Sequence, residues 1–442
     1  MNKEPVKLLG YWDLMSISLG QIIGTGVVVL TGISISMTGF GAPWAFLLAL
    51  LIVIAPSICI AALGSAVPST GGNYTYVRDY LGHKTSFVYL ALLVAGQLMI
   101  ASYAIGFAEY ADALIPDMNL KLVAAGVMVF CFVTNYFGVK TAARFQGFMV
   151  LVLIFSLLAY VVTGLGQVES YAVYVEPAHV FPSGFGGFLA AAFLLRLGLI
   201  GSEYVSELGD ETRNPGKLIP LVMGSSLIIV TVLYMAIGVV ATGVLPLDEV
   251  SGKNLAAVAK TLFSPGVYVL FVAGGVMLSL VTSLNAIFAW CTRGLYMATE
   301  DGWLPESLAA KNKYGTPYIF LSIFFFLGIA PIVTGMSLAS VTILGNAVGL
   351  IFGLFPVVAL YNLAKRNPES YAKAVFRLPV WLTKALPIFS VVVYSYGIYL
   401  SREFIGWQGF TALTIYTAIA IGYAYYRSPV VELQMRARSQ AP

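Results

Sequence analysis

The chain has 442 residues, 59% of them hydrophobic and only 10% charged, with a formal net charge of +4 and a mean hydropathy of +0.88. Soluble domains carry about 25% charged residues, so this composition excludes a soluble globular protein and describes one that crosses a lipid bilayer many times. The small positive charge is not a nucleic-acid signature, because the basic residues lie in short loops between apolar runs.

A membrane-spanning helix needs about 20 apolar residues. Twelve runs qualify: 9–37, 42–67, 85–113, 120–138, 145–165, 185–207, 218–243, 265–297, 317–335, 338–363, 385–401 and 407–426. The expected fold is an all-α polytopic membrane protein of 12 transmembrane helices. It forms a single domain over 1–426, and 427–442 is a polar tail. The first run is too long for a cleavable signal peptide and lacks a cleavage-like end. Cys59, Cys131 and Cys291 fall inside apolar runs and read as buried thiols, with no disulfide framework. His83 and His179 lie in predicted loops, so neither a metal site nor a cofactor is expected.

Orientation follows from the loop charges. With the N-terminus inside, 19 of the 24 Lys and Arg residues fall on the inner face and four (Lys121, Lys253, Lys260, Arg402) on the outer, leaving Arg196 inside a span. Both termini are therefore expected in the cytoplasm and the chain in the cell membrane.

The first run contains Leu19-Gly20-Gln21-Ile22-Ile23-Gly24-Thr25-Gly26. Each glycine costs a helix interior about 1 kcal/mol against Ala. A break inside a bilayer is tolerated only where protein or a polar cavity satisfies the freed backbone groups. Two readings fit the stretch: a discontinuous helix that binds a small ligand, or close helix packing through small residues. The sixth run repeats the feature at Arg196-Leu197-Gly198-Leu199-Ile200-Gly201-Ser202-Glu203. Five spans separate the two breaks, so they cross in opposite directions. That points to a 5+5 inverted repeat, 9–165 and 185–363, with a site between broken helices one and six. The last two helices are peripheral to the repeat, and they leave the oligomeric state open.

Five stretches together resemble the amino acid/polyamine/organocation permeases of the leucine-transporter fold. They are GQIIGTGVVVLTG (20–32), PSTGGNYTY (68–76), GVKTAAR (138–144), ETRNP (211–215) and TRGLYMATEDGWLP (292–305). The resemblance implies a transporter that binds an amino acid at the two breaks. The N-terminal end of the outer half-helix, near Thr25 and Gly26, offers free N–H groups and a positive dipole end to a carboxylate. Carbonyls near Gln21, Ile22 and Ile23, and those of Leu197, Gly198, Leu199 and Ile200 before Gly201, suit an ammonium. Side-chain specificity is expected from the sixth, third and eighth helices.

Ionisable groups inside a membrane are functional hypotheses by default. Glu203 follows the sixth break; the resemblance ties this position to protonation, and the alternative is a structural pair with Arg144 or Lys140. Arg196 departs from the family pattern and needs a partner, with Glu109 and Glu203 the candidates. It reads as an outer-gate pair, a second anchor for an acidic substrate, or a structural pair. Many relatives carry a coupling lysine on the fifth helix; the equivalent count reaches Leu153 here, which puts lysine-linked coupling in doubt. Ser279, Thr282 and Ser283 on the eighth helix offer hydroxyls to a sodium site of the fold, although such hydroxyls more often bond their own backbone.

The loops read more plainly. Arg293 with Glu300 and Asp301 is expected to form an inner-face polar cluster. Residues 301–305 read as a helix stop, 69–73 as a turn, and Tyr423, Tyr425, Tyr426 and Arg427 as an interfacial belt. The function expected is secondary transport of a neutral L-amino acid by alternating access, by exchange or facilitated uptake. A polyamine or organic-amine exchanger and an amino-acid-binding membrane sensor are the alternatives. An enzyme is disfavoured, because no GxSxG, HExxH or P-loop is present.

Overall fold

The structure is a computed structural model that describes residues 8–24, 26–253 and 255–439. It is built of helices, with isolated β-bridges but no strand among the described residues. Among the described residues, eight helices are long and apolar enough to cross a membrane, and two shorter apolar helices, Leu120–Tyr136 and Tyr318–Thr334, accompany them.

The first segment is helical over Tyr11–Ile22. Ile23 then turns extended (φ −81°, ψ 90°). Helical backbone resumes as a π-turn at Gly26–Leu30 and an α-helix at Thr31–Thr38. The sixth segment runs as Gly184–Leu195, tightens to a 3-10 turn at Arg196–Leu199, breaks at Ile200 and Gly201, and continues as a 3-10 helix at Ser202–Glu207. Both breaks fall within the glycine clusters singled out in the sequence. Thr25 lies outside the described residues.

Two apolar clusters hold the bundle. One gathers Tyr74, Leu90, Ile287, Trp290 and Phe320. The other gathers Ile23, Val27, Leu153, Leu195 and Tyr234. The connections sort onto two faces. On one, Leu9 N–H donates to Glu211 O at 2.9 Å and Lys140 bonds Leu8 O and Asp13 at 3.0 Å. On the opposite face, Thr38 donates to Val180 O and Gly252 N–H to Gly32 O. The first of these faces holds most of the loop arginines and lysines and is called the basic face below.

The last two runs are two helices within Leu382–Ser439, separated by a kink at Gly406 (φ 65°, ψ 168°), and the second continues to Ser439. Two expectations change. The tail after 426 is therefore helix, as its helix-forming Glu432, Leu433, Gln434 and Met435 favour. Arg293 pairs with Glu211 at 2.9 Å, while Asp301 takes Arg78 at 3.0 Å and the Tyr74 hydroxyl at 2.7 Å. The loop helix Gly72–Leu81 reaches Asp301 first, so the carboxylate meets Arg78 rather than Arg293. Cys59, Cys131 and Cys291 are buried free thiols.

Candidate substrate site

The two breaks meet. A Cβ added to Gly26 would stand 2.2 Å from Gly198 Cα, so only two glycines let the backbones approach this closely. One turn further, Gly201 sits on Gln21; its φ of 139° is a conformation other residues rarely adopt. The half-helices therefore cross at their broken points, with Gly24 beside the Tyr103 ring and the Ser283 hydroxyl.

The freed carbonyls of the first break have partners from other spans. Ser283 Oγ, on the eighth, lies 2.9 Å from Gly20 O and 3.4 Å from Ile23 O. Tyr234 OH, on the seventh, donates to Ile22 O at 3.3 Å. The Gln21 side chain accepts from Trp290 Nε1 at 3.0 Å. The Trp290 indole stacks flat on Tyr204 of the sixth segment, centroids 3.9 Å apart and planes 2° from parallel. An aromatic floor thus joins the eighth span to the segment just beyond the sixth break.

At the sixth break the segment partners itself. Glu203 turns back, and its carboxylate accepts the Gly201 N–H at 2.9 Å. Its expected partners go elsewhere: Lys140 pairs with Asp13, and Arg144 is exposed and forms no ion pair with Glu203 among the described residues. Leu197 and Ile200 are half-buried, and Gly198 and Leu199 are buried.

Arg196 also departs from expectation. It is 2% exposed, and its guanidinium lies over the Tyr394 ring of the eleventh run at 5.5 Å. Among the described residues it makes no ion pair with Glu203 or with Glu109, which is exposed, and its Nη1 has no hydrogen-bond partner. The reason is helical phase. In a 3-10 turn residues two apart point to different faces, so Gly198 faces the first segment while Arg196 looks toward Tyr394.

Of the hydroxyls on the eighth helix, Ser279 donates to Val276 O and Thr282 to Ser279 O, both within their own helix. Only Ser283 reaches across. Leu153 is fully buried in the apolar cluster with Ile23 and Val27. The fifth-span residue that reaches the first and eighth segments is Gln146 instead. Its amide donates to Thr282 O at 2.9 Å and accepts from Asn285 at 2.8 Å, and it lies against Gly20. Asn285 in turn accepts from Thr134 and Asn135 on the fourth span at 2.8 and 2.9 Å.

Sequence reasoning missed Tyr103, Gln146, Tyr204, Tyr234 and Trp290. Aromatic and amide residues are scattered through every span, and nothing in their spacing marks the ones that meet. An apolar recess of about 510 Å³ between Phe107, Val127, Phe148 and Leu278 lies on the flank of the bundle, away from the breaks.

Outside the spans, burial and the Arg293 guanidinium lower the pKa of Lys311, whose ammonium sits 3.9 Å above the Tyr296 ring.

The sequence pattern of the amino acid permease family matches residues 9–421. The chain is 28% identical to the branched-chain amino acid permease BcaP of Bacillus subtilis, over 72% of each chain. It is 25% identical to the methylthioribose transporter of Bacillus subtilis, over 96% of this chain and 94% of that one. It is 24% identical to the serine/threonine exchanger SteT of Bacillus subtilis, over 84% and 87%. These are transporters rather than enzymes, and a match of this extent to a family of multi-pass membrane proteins decides the class: the chain belongs to the amino acid permease family.

Proposed function

We propose that the protein carries a small amino acid, most simply a neutral L-amino acid, across the cell membrane by alternating access. In this reading it has twelve spans, ten of them in a 5+5 inverted repeat, and the basic face with both termini is cytoplasmic. The observation that carries the reading is the crossing of the two broken segments at Gly26 and Gly198. Helix termini at a midplane crossing are where membrane transporters hold charged small molecules.

The substrate carboxylate is assigned to the N-terminal end of the outer half-helix at Gly26, where helical backbone resumes; Thr25, the other residue named for it, lies outside the described residues. The ammonium faces the sixth-segment carbonyls of Leu197 to Ile200, because Ser283 and Tyr234 already occupy carbonyls of the first break. Tyr103, Tyr204 and Trp290 bound the space for the substrate side chain. Relatives named for branched-chain amino acids and for serine/threonine exchange support an amino acid as cargo. Exchange or facilitated uptake is the mode proposed; Ser279 and Thr282 donate within their own helix. Glu203, beside the break, is the group proposed to respond to protons.

The test is uptake of radiolabelled solutes by purified protein in liposomes. Neutral, acidic and basic amino acids, polyamines and methylthioribose are compared, with and without internal substrate, sodium and a pH gradient. Uptake of a neutral amino acid, stimulated by internal substrate, is expected. Methylthioribose uptake without amino acid uptake overturns the substrate assignment. Binding without flux under every gradient makes the protein a sensor.

A further inference from the structure

The helical tail beyond residue 426 does not project away from the bundle. Tyr423 OH donates to Trp303 O at 2.8 Å, and Arg427 Nε donates to Gly302 O at 3.2 Å. Further along, Glu432 meets His83 at 3.1 Å, and Ser428 lies 2.9 Å from the same imidazole. The Gln434 amide fills the space over Gly302, where even a Cβ would meet it at 1.5 Å. Five residues spread over about three turns thus grip one turn, 301–303, and the start of the helix at His83.

That turn is not isolated. Asp301 holds Tyr74 and Arg78 of the loop helix Gly72–Leu81. The start of the same loop helix seals the inner half of the sixth segment: Gly71 N–H donates to Glu207 O at 3.0 Å, and Asn73 N–H to the Glu207 carboxylate at 3.2 Å. Arg293 and Glu211 close the other side of that seal. The contacts run without a gap from the tail, through 301–303 and 72–81, to the half-helix below the sixth break.

We propose that the C-terminal helix is a clasp that holds the seal on the basic face closed and sets how often it opens. The idea rests on the transport reading for its purpose, since a seal matters only if it must open. The geometry favours a clasp over incidental packing because the tail's polar side chains, Arg427, Glu432 and Gln434, all end on groups that lead to Glu207. Each such bond contributes on the order of a fewfold to a two-state equilibrium. Together they hold the open form down by about tenfold or more.

The experiment is hydrogen exchange on the full-length protein in nanodiscs, without substrate, so it does not depend on transport. The seal is read from peptides that contain the Gly71 and Asn73 amides. Two variants are compared with the natural chain: one ending after Ser428 with Arg427→Gln, and one with Glu432→Gln alone. The clasp predicts about tenfold faster exchange at 69–76 and 202–212 in the first variant and about threefold in the second, with the fifth span, 145–160, unchanged. Unchanged exchange at 69–76 after the tail is removed overturns the proposal. So does a uniform rise that includes the fifth span, which would be general destabilisation. If the shortened chain does not fold, Glu432→Gln decides by the same criterion. Failure of uptake in liposomes with a positive exchange result would sink the transport reading and leave the clasp standing.

Discussion

At the first break, the carbonyls of Gly20 and Ile22 are met by hydroxyls from two other spans, Ser283 and Tyr234. At the sixth, the freed Gly201 N–H is taken two residues away, by Glu203 of the same segment. One break is therefore held by tertiary contacts and the other by local ones. A break held by its neighbours changes whenever they move, which suits an element that must sense the eighth span. A break held by its own carboxylate keeps its shape through motion but responds to whatever charges or neutralises that carboxylate. On the proposed transport reading, the first break would couple mechanically to the eighth span and the sixth would respond to the charge on Glu203.

The strongest way to break this picture is to force the segments apart. Gly26→Leu places a side chain where the Gly198 backbone already stands. Overpacking of on the order of 3 kcal/mol corresponds to about a hundredfold loss of substrate affinity. Equilibrium binding to protein that still inserts and elutes as a single species measures it, and normal affinity would refute the placement of the site.

Next comes the sixth break. Glu203→Gln keeps an acceptor for the Gly201 N–H but removes the charge, roughly halving a bond of about 2 kcal/mol. A change of about fivefold in affinity is expected, together with a changed pH profile of uptake. A pH profile identical to that of the natural chain removes Glu203 from any protonation step.

At the first break the effects are smaller and spread over two properties. Ser283→Ala deletes a bridge of about 1 kcal/mol between spans. It should lower the thermal unfolding midpoint and raise KM together; a KM change with no stability change would mean that Ser283 acts on substrate alone. Tyr234→Phe removes a longer bond, about 0.5 kcal/mol, and should change KM about twofold. Smallest of all is Arg196→Met. Because the guanidinium leans on Tyr394, substrate preference should stay the same in a competition panel. A gain of lysine or polyamine uptake would show that its field reaches the site after all.

The positions of the breaks were legible in the chain because they are local. Glycine at 24, 26, 198 and 201 weakens a helix wherever it stands, and the apolar runs around it fix the depth. The family could be read for a similar reason, through five short motifs in order. The partners were not legible. Arg196 was matched to carboxylates on the ground that a buried charge needs one, yet its phase in a tightened turn carries it to an aromatic ring. The sequence groups Arg293 with Glu300 and Asp301, while folding brings Glu211 to Arg293 and Arg78 to Asp301. The sequence marks 427–442 only as a polar tail, and folding docks it on 301–303.

Composition and glycine placement by themselves determined that this protein crosses a membrane, that two of its spans are broken, and where. Tertiary structure alone decided which side chains close those breaks: Ser283 and Tyr234 for one, Glu203 for the other, with Gln146, Tyr204 and Trp290 arranged around them. In a soluble helix an apolar stripe marks the face that turns inward. In a bilayer the outward face is as apolar as the inward one. The sequence then carries depth but not rotation, and rotation is what selects partners.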